Sequence, residues 1–124
     1  DERQLLGEAL EQGQQHLGTM LQHAMASTQP EQSEQIYKAG LHATDFLYSL
    51  SEIIIGWLLL RHAEIAHTAL ETDADLSDED RAFYTGKVAS GRWFVRHVLP
   101  KVATRARIAT QEDGALMQLP VDAF

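Results

Sequence analysis

Ser51-Glu-Ile-Ile-Ile-Gly-Trp-Leu-Leu-Leu-Arg61 decides how the rest of the chain is read. From Ile53 to Leu60 this run carries no charge and no hydrogen-bonding side chain except the Trp57 indole. A surface helix shows one apolar stripe, so an apolar run on every side predicts burial on every side. A buried strand would give the same run, but the flanks are helical in pattern. Ile36, Ala39, Ala43, Phe46, Leu47 and Leu50 recur upstream at three- and four-residue spacing, and Ile65 and Ala69 continue the stripe downstream. The run therefore lies in the middle of a long central helix with other helices packed around it. Gly56 has no Cβ and lets a crossing backbone come close, at a cost of about 1 kcal/mol relative to Ala.

The chain's 124 residues suffice for one domain with one core. There is no Cys, which excludes disulfides and thiolate chemistry, and nothing points to secretion. A bilayer crossing needs about 20 predominantly apolar residues. The uninterrupted run is far shorter and follows Glu52, so no membrane span is expected. No basic segment followed by an apolar one opens the chain, so no signal peptide is read and a cytoplasmic protein is expected. A start at Asp1 without Met suggests a fragment or a processed chain.

Net charge is −8, but its distribution says more than its sum. Residues 1–80 hold 15 of the 18 acidic groups and only Arg3, Lys38 and Arg61 as bases. Arg81, Lys87, Arg92, Arg96, Lys101, Arg105 and Arg107 follow with no acid among them. A basic helix can mark a nucleic-acid footprint, but the acidic remainder would repel phosphate, so no nucleic acid is expected. The helix should instead lie alongside acidic helices or face an acidic partner surface.

In chain order, helix one is expected over about 2–26, its apolar stripe running through Leu6, Ala9, Leu10, Gly13, Leu17, Met20, Leu21 and Ala24. Gly7, Gly13 and Gly18 weaken it in isolation, so it depends on packing. Ser27 to Pro30 ends it. Helix two spans about 31–71, and a break or bend is expected near Gly40. Ser77 with Asp80 approximates a capping box, starting helix three over about 78–109. Pro100 cannot donate to the Arg96 carbonyl, which predicts a kink rather than two separate helices. The small-residue patch of Gly86, Ala89, Ser90 and Gly91 suits close approach against Gly56. The fold expected is an all-α, up-down antiparallel bundle of three long helices, four if helix two breaks. The tail 113–124 is too apolar for a free end, so Leu116, Met117, Leu119 and Phe124 should dock. With Arg92 and Arg96 they are the expected interface.

Chemistry-bearing patterns are sparse. Glu64-Ile-Ala-His67 has the spacing of a di-iron ligand pair, but no second Glu-x-x-His exists, and an exposed pair is the plainer reading. His16 and His23 share a face and read as solvated. Trp57, Trp93 and Phe94 read as core or interface residues. No Gly-x-Ser-x-Gly elbow and no phosphate cradle occur. Glu52, abutting the apolar run, reaches a neighbouring Arg or the surface, or is a perturbed carboxylate. No catalytic, cofactor or metal residue is assigned.

Phe83-Tyr-Thr-Gly-Lys-Val-Ala-Ser-Gly-Arg-Trp-Phe-Val-Arg-His-Val-Leu-Pro100 and Asp113-Gly-Ala-Leu-Met-Gln-Leu-Pro-Val-Asp-Ala-Phe124 closely resemble the end of a subgroup of bacterial acyl-CoA dehydrogenases. Phe46-Leu-Tyr-Ser-Leu50 and Gly56-Trp-Leu-Leu-Leu-Arg61 match that family's central helix. The subgroup carries an extra C-terminal helical domain and includes enzymes acting on 3-methylmercaptopropionyl-CoA. The resemblance implies a parent flavoenzyme that binds FAD, oxidises an acyl-CoA to a 2-enoyl-CoA and passes electrons to an electron-transfer flavoprotein. It implies that the catalytic Glu and most flavin contacts lie outside these residues, so this domain holds no cofactor. Its role would be to cover the catalytic core of the same parent chain and to aid contact in a homo-oligomer. A free-standing helical module binding a small apolar ligand or a partner helix is the alternative.

Overall fold

The computed structural model describes residues 1–124, all helix and connection with no strand. Asp1 caps α1 (Glu2–Ala26), its carboxylate accepting from the Arg3 and Gln4 backbone N–H groups at 2.7 and 3.3 Å. A turn of 3-10 helix at Pro30–Gln32 leads into a short α2 (Gln35–Leu41). His42, at φ −106° and ψ 5°, separates it from α3 (Ala43–Thr72). The break expected near Gly40 thus falls two residues later. Ser77 caps α4 (Asp78–His97), accepting from the Asp80 N–H at 3.0 Å.

Pro100 does more than kink the third rod. The helix stops at His97, and α5 (Pro100–Gln111) begins with Pro100 in its first turn, where no N–H is needed. The two halves have different partners: α4 packs chiefly on α3, and α5 on α1. Since Glu2 meets Arg96 and Ala9 lies with Leu99 and Val102, α1 runs alongside α4–α5 in the same direction, with α3 antiparallel to both. The result is the up-down bundle of three rods, two of them broken.

Contact between the rods is set by three glycines. A Cβ on Gly13 would stand 2.9 Å from Ile53 Cδ1, one on Gly56 3.2 Å from the Leu99 methyls, and one on Gly91 3.0 Å from the Leu59 carbonyl oxygen. Gly13, read from the sequence as part of the apolar stripe and as a helix weakener, is the close approach of α1 to α3. Gly91 meets Leu59 and Ala63 rather than Gly56, and a Cβ on Gly86 would meet nothing within 4 Å. Ala9, Ile53, Val95, Leu99 and Val102 form the core between them.

That core is thin, with 17 of 124 residues buried. The apolar run is not enclosed on every side: Ile53 and Gly56 are buried, while Ile54, Ile55, Trp57 and Leu58 are exposed. On α1 the buried residues are Ala9, Gly13 and His16, with Leu10, Leu17 and Leu21 left at the surface. The longest unbroken apolar run also understated α3, which by length and composition could cross a membrane. Its inner face, however, carries Glu52 against Arg105 of α5 and packs on helices rich in charge.

Gly91→Ala should destabilise the fold by about 1–3 kcal/mol, because the new methyl meets backbone that cannot rotate away. Gly86→Ala, in open space within the same helix, should be neutral or stabilise by up to about 1 kcal/mol. Urea unfolding of the two variants checks the contrast; equal effects would remove the close approach of α4 to α3.

Candidate functional site

A polar layer crosses one end of the bundle where α1, the α2–α3 joint, α3 and α5 meet. His16 of α1 is fully buried rather than solvated. It stands edge-on to Phe46 with ring centroids 5.4 Å apart, and neither ring nitrogen has a protein hydrogen-bond partner. Burial first, then the nearby His42 and Arg105, push its pKa below the ordinary value of 6.5, with Asp45 opposing. Inside the fold it is the neutral imidazole that is favoured.

The neighbours of His16 are tied to one another. Arg105 holds Glu52 bidentately, its Nη1 and Nη2 donating to the two carboxylate oxygens at 2.6 and 3.1 Å. That hydrogen bond raises the pKa of Arg105 still further. Ser49, buried beside them, donates its hydroxyl to the Asp45 carbonyl at 3.0 Å. His42 Nε2 lies 3.2 Å from Glu112 Oε2, whose other oxygen accepts the Gly114 N–H at 2.7 Å. Gly114 adopts φ 77°, a left-handed bend that favours glycine, with the flexible end of Lys38 beside it. Glu52 therefore reaches an Arg, and its two oxygens are occupied. The Glu52–Arg105 pair ties α3 to α5, and Glu52 is not a free carboxylate.

A second feature is a shallow groove of about 900 Å³ where the start of α1 faces α3 and α4, lined by Glu2, Arg3, Trp57, Leu60, Arg61 and Glu64 among others. Its charges pair across the helices. Arg92 and Arg96 both donate to Glu2 Oε1, at 3.3 and 2.6 Å, and Arg3 donates to Glu64 at 2.7 Å. The Glu2 carboxyl is held below its usual range by its own backbone N–H and by Arg96. His67 lines the same groove and approaches Glu71 at 3.6 Å. No three His, Asp or Glu side chains converge as a metal site would require.

The basic helix is thus partly explained within the chain: Arg92, Arg96 and Arg105 answer acids on α1 and α3. The tail is different. It docks only at its root, through Glu112 and Gly114, while Leu116, Met117, Leu119 and Phe124 remain exposed. Trp57 and Trp93 are also more than half exposed, Trp93 stacked on His97 with ring centroids 5.2 Å apart. Neither is a core residue. The exposed flank of α3, Leu47, Ile54, Leu58 and Ile65, was missed because the sequence shows that residues are apolar, not whether a neighbour covers them.

Comparison with known proteins gives this arrangement its context. The family model described as "Acetyl-CoA dehydrogenase C-terminal like" matches residues 1–120. A broad-specificity linear acyl-CoA dehydrogenase, FadE5, of Mycobacterium tuberculosis is 37% identical over 123 residues, covering 99% of this chain and 20% of that protein. A butyryl-CoA dehydrogenase of Syntrophomonas wolfei is 34% identical over 86 residues, covering 68% of this chain and 14% of that protein. The chain therefore spans a fifth or less of the length of these curated relatives.

His16 should make the fold weaker in acid. Its folded-state pKa lies below 6.5, so on acidification the unfolded chain takes up this proton first. Its contribution is complete above about pH 6.5 and is lost as the pH falls through that value toward the lower folded pKa. Denaturant unfolding between about pH 7 and 5 should show this slope, and His16→Leu should flatten it. An unchanged slope in the variant would remove His16 as the cause.

Proposed function

The chain belongs to the acetyl-CoA dehydrogenase C-terminal-like family, and from that premise we propose that it is the non-catalytic helical domain of a longer, FAD-dependent acyl-CoA dehydrogenase. The observations that carry this are the family match over residues 1–120 and the relatives, about five times as long, that the chain covers only in part. The domain covers part of the catalytic core of the same parent chain and aids contact in a homo-oligomer. The parent, a cytoplasmic enzyme, oxidises an acyl-CoA and delivers electrons to an electron-transfer flavoprotein. One relative is named for linear acyl-CoA esters and the other for butyryl-CoA, which favours a simple linear acyl-CoA as its substrate.

The residues present do not fit a flavin. Dinucleotide phosphates favour free helix N-termini or glycine-rich turns. Here the α1 start is capped by Asp1 and the α4 start by Ser77, with Asp78, Glu79 and Asp80 behind it, while the α3 and α5 starts, without a side-chain cap, directly follow α2 and α4 and carry no glycine-rich turn. The left-handed Gly114 lies under Lys38. The groove's arginines are directed to Glu2 and Glu64. No step of the oxidation is routed through this chain, whose contribution is a surface.

The longer protein should show a flavin spectrum and oxidise linear acyl-CoA esters, whereas residues 1–124 alone should do neither. Tight flavin binding or acyl-CoA oxidation by the 124-residue domain would overturn its non-catalytic role; a longer protein without flavin would overturn the parent assignment.

A further inference from the structure

The outer side of α3 has no partner within the fold. Leu47, Ile54, Leu58 and Ile65 lie seven, four and seven residues apart, a spacing that keeps them on one helix face. They are 61%, 48%, 42% and 61% exposed, on the side turned away from the buried Ser49, Ile53, Gly56 and Ala63. At 1.5 Å per residue the stripe is about 27 Å long. Two polar neighbours bond elsewhere: Ser51 donates its hydroxyl back to the Leu47 carbonyl at 2.8 Å, and Glu52 is turned inward to Arg105. A contiguous apolar surface rimmed by polar residues marks an interaction site.

Arg61, on the edge of the stripe, decides between occupants. It is 61% exposed, and its acid contact is Glu64 at 3.9 Å, a carboxylate already shared with Arg3 at 2.7 Å. A second copy packed antiparallel about the stripe's midpoint would set Arg61 opposite Ser51, with no acid to meet it. Packed parallel, it would set Arg61 opposite Arg61. Either arrangement covers Arg61 with no acid beyond the Glu64 carboxylate it shares with Arg3. A bilayer would have to accept Arg61, His62 and Glu64 at one end of the stripe, together with the charged helices flanking α3. The remaining occupant is foreign surface, and the relatives carry four-fifths or more of their length outside the matched stretch.

We infer that the stripe from Leu47 to Ile65 seats this domain on the rest of the acyl-CoA dehydrogenase chain, against an apolar face that presents a carboxylate to Arg61. This rests on the parent assignment above and specifies which surface makes the contact. α4 and α5, directed through Arg92, Arg96 and Arg105 to this domain's own acids, lie on the other side.

Carbene footprinting of the longer protein, compared with the 124-residue domain, tests it. Labelling of Leu47, Ile54 and Leu58 should fall at least fivefold in the longer protein, while Met25 at the end of α1 changes less than twofold. Arg61→Glu in the longer protein should restore labelling of the stripe, and Arg61→Lys should not. An active flavoenzyme whose stripe stays fully labelled overturns this inference and leaves the parent assignment standing. A longer protein lacking flavin and acyl-CoA oxidation overturns both. Concentration-dependent protection of the stripe in the 124-residue domain would assign it to a second copy, and protection by phosphatidylglycerol vesicles would assign it to lipid; each overturns the proposal.

Discussion

The bundle depends on how closely α3 is approached from two sides. Gly13 admits the Ile53 side chain from α3, Gly56 admits Leu99, and Gly91 lets α4 ride on the Leu59 carbonyl. With the rods this near, small residues can fill the interior: Ala9, Ala63, Ala66, Ala106 and Ala109 are all buried. Dispersion contacts fall off steeply with separation, so a core of alanines and valines holds only if the backbones are close. The break at Val98–Leu99 belongs to the same constraint. It lets α4 stay on α3 while α5 turns onto α1, and it places Leu99 against Gly56.

Electrostatics fixes the ends that packing leaves loose. Arg92 and Arg96 converge on Glu2 at one end of the bundle, and Arg105 grips Glu52 near the other. The second pair is the better shielded, both side chains being less than a fifth exposed, and its bidentate geometry compensates for the water each group gives up. His16 stands beside that pair without a hydrogen bond of its own. A buried imidazole in such a place is tolerated while neutral and costly once protonated, which couples the packing of α1 against α3 to pH.

A thin core and a bare outer face on α3 belong together. A domain with few enclosed residues and a continuous apolar stripe fits the proposed seating against the rest of a longer chain. Inter-domain contacts within one chain need not be self-complementary. The lone Arg61 beside the stripe is a problem in a symmetric dimer and an asset against an acidic neighbour.

Periodicity and punctuation in the sequence were enough to place the three rods, though not to separate α4 from α5 at Pro100. Three- and four-residue spacing, Pro30, Ser77 with Asp80, and Pro100 mark elements whose determinants are local, and the family was legible in the Phe83–Pro100 and Asp113–Phe124 segments for the same reason: both are linear patterns. Gly56 and Gly91 could be singled out as small residues at helical spacing, but their partners could not, since those come from residues more than 25 positions away. Hydrophobicity likewise states what a side chain avoids, not what covers it. Ile53 and Ile54 are adjacent and chemically identical; one is buried against α1 and the other faces outward, because 100° of helix rotation separates them. His16 is the converse case, a polar residue buried because its neighbours on three other elements close over it. Tertiary structure alone decided these matters, since burial is a property of pairs of surfaces and the chain spells out only one surface at a time.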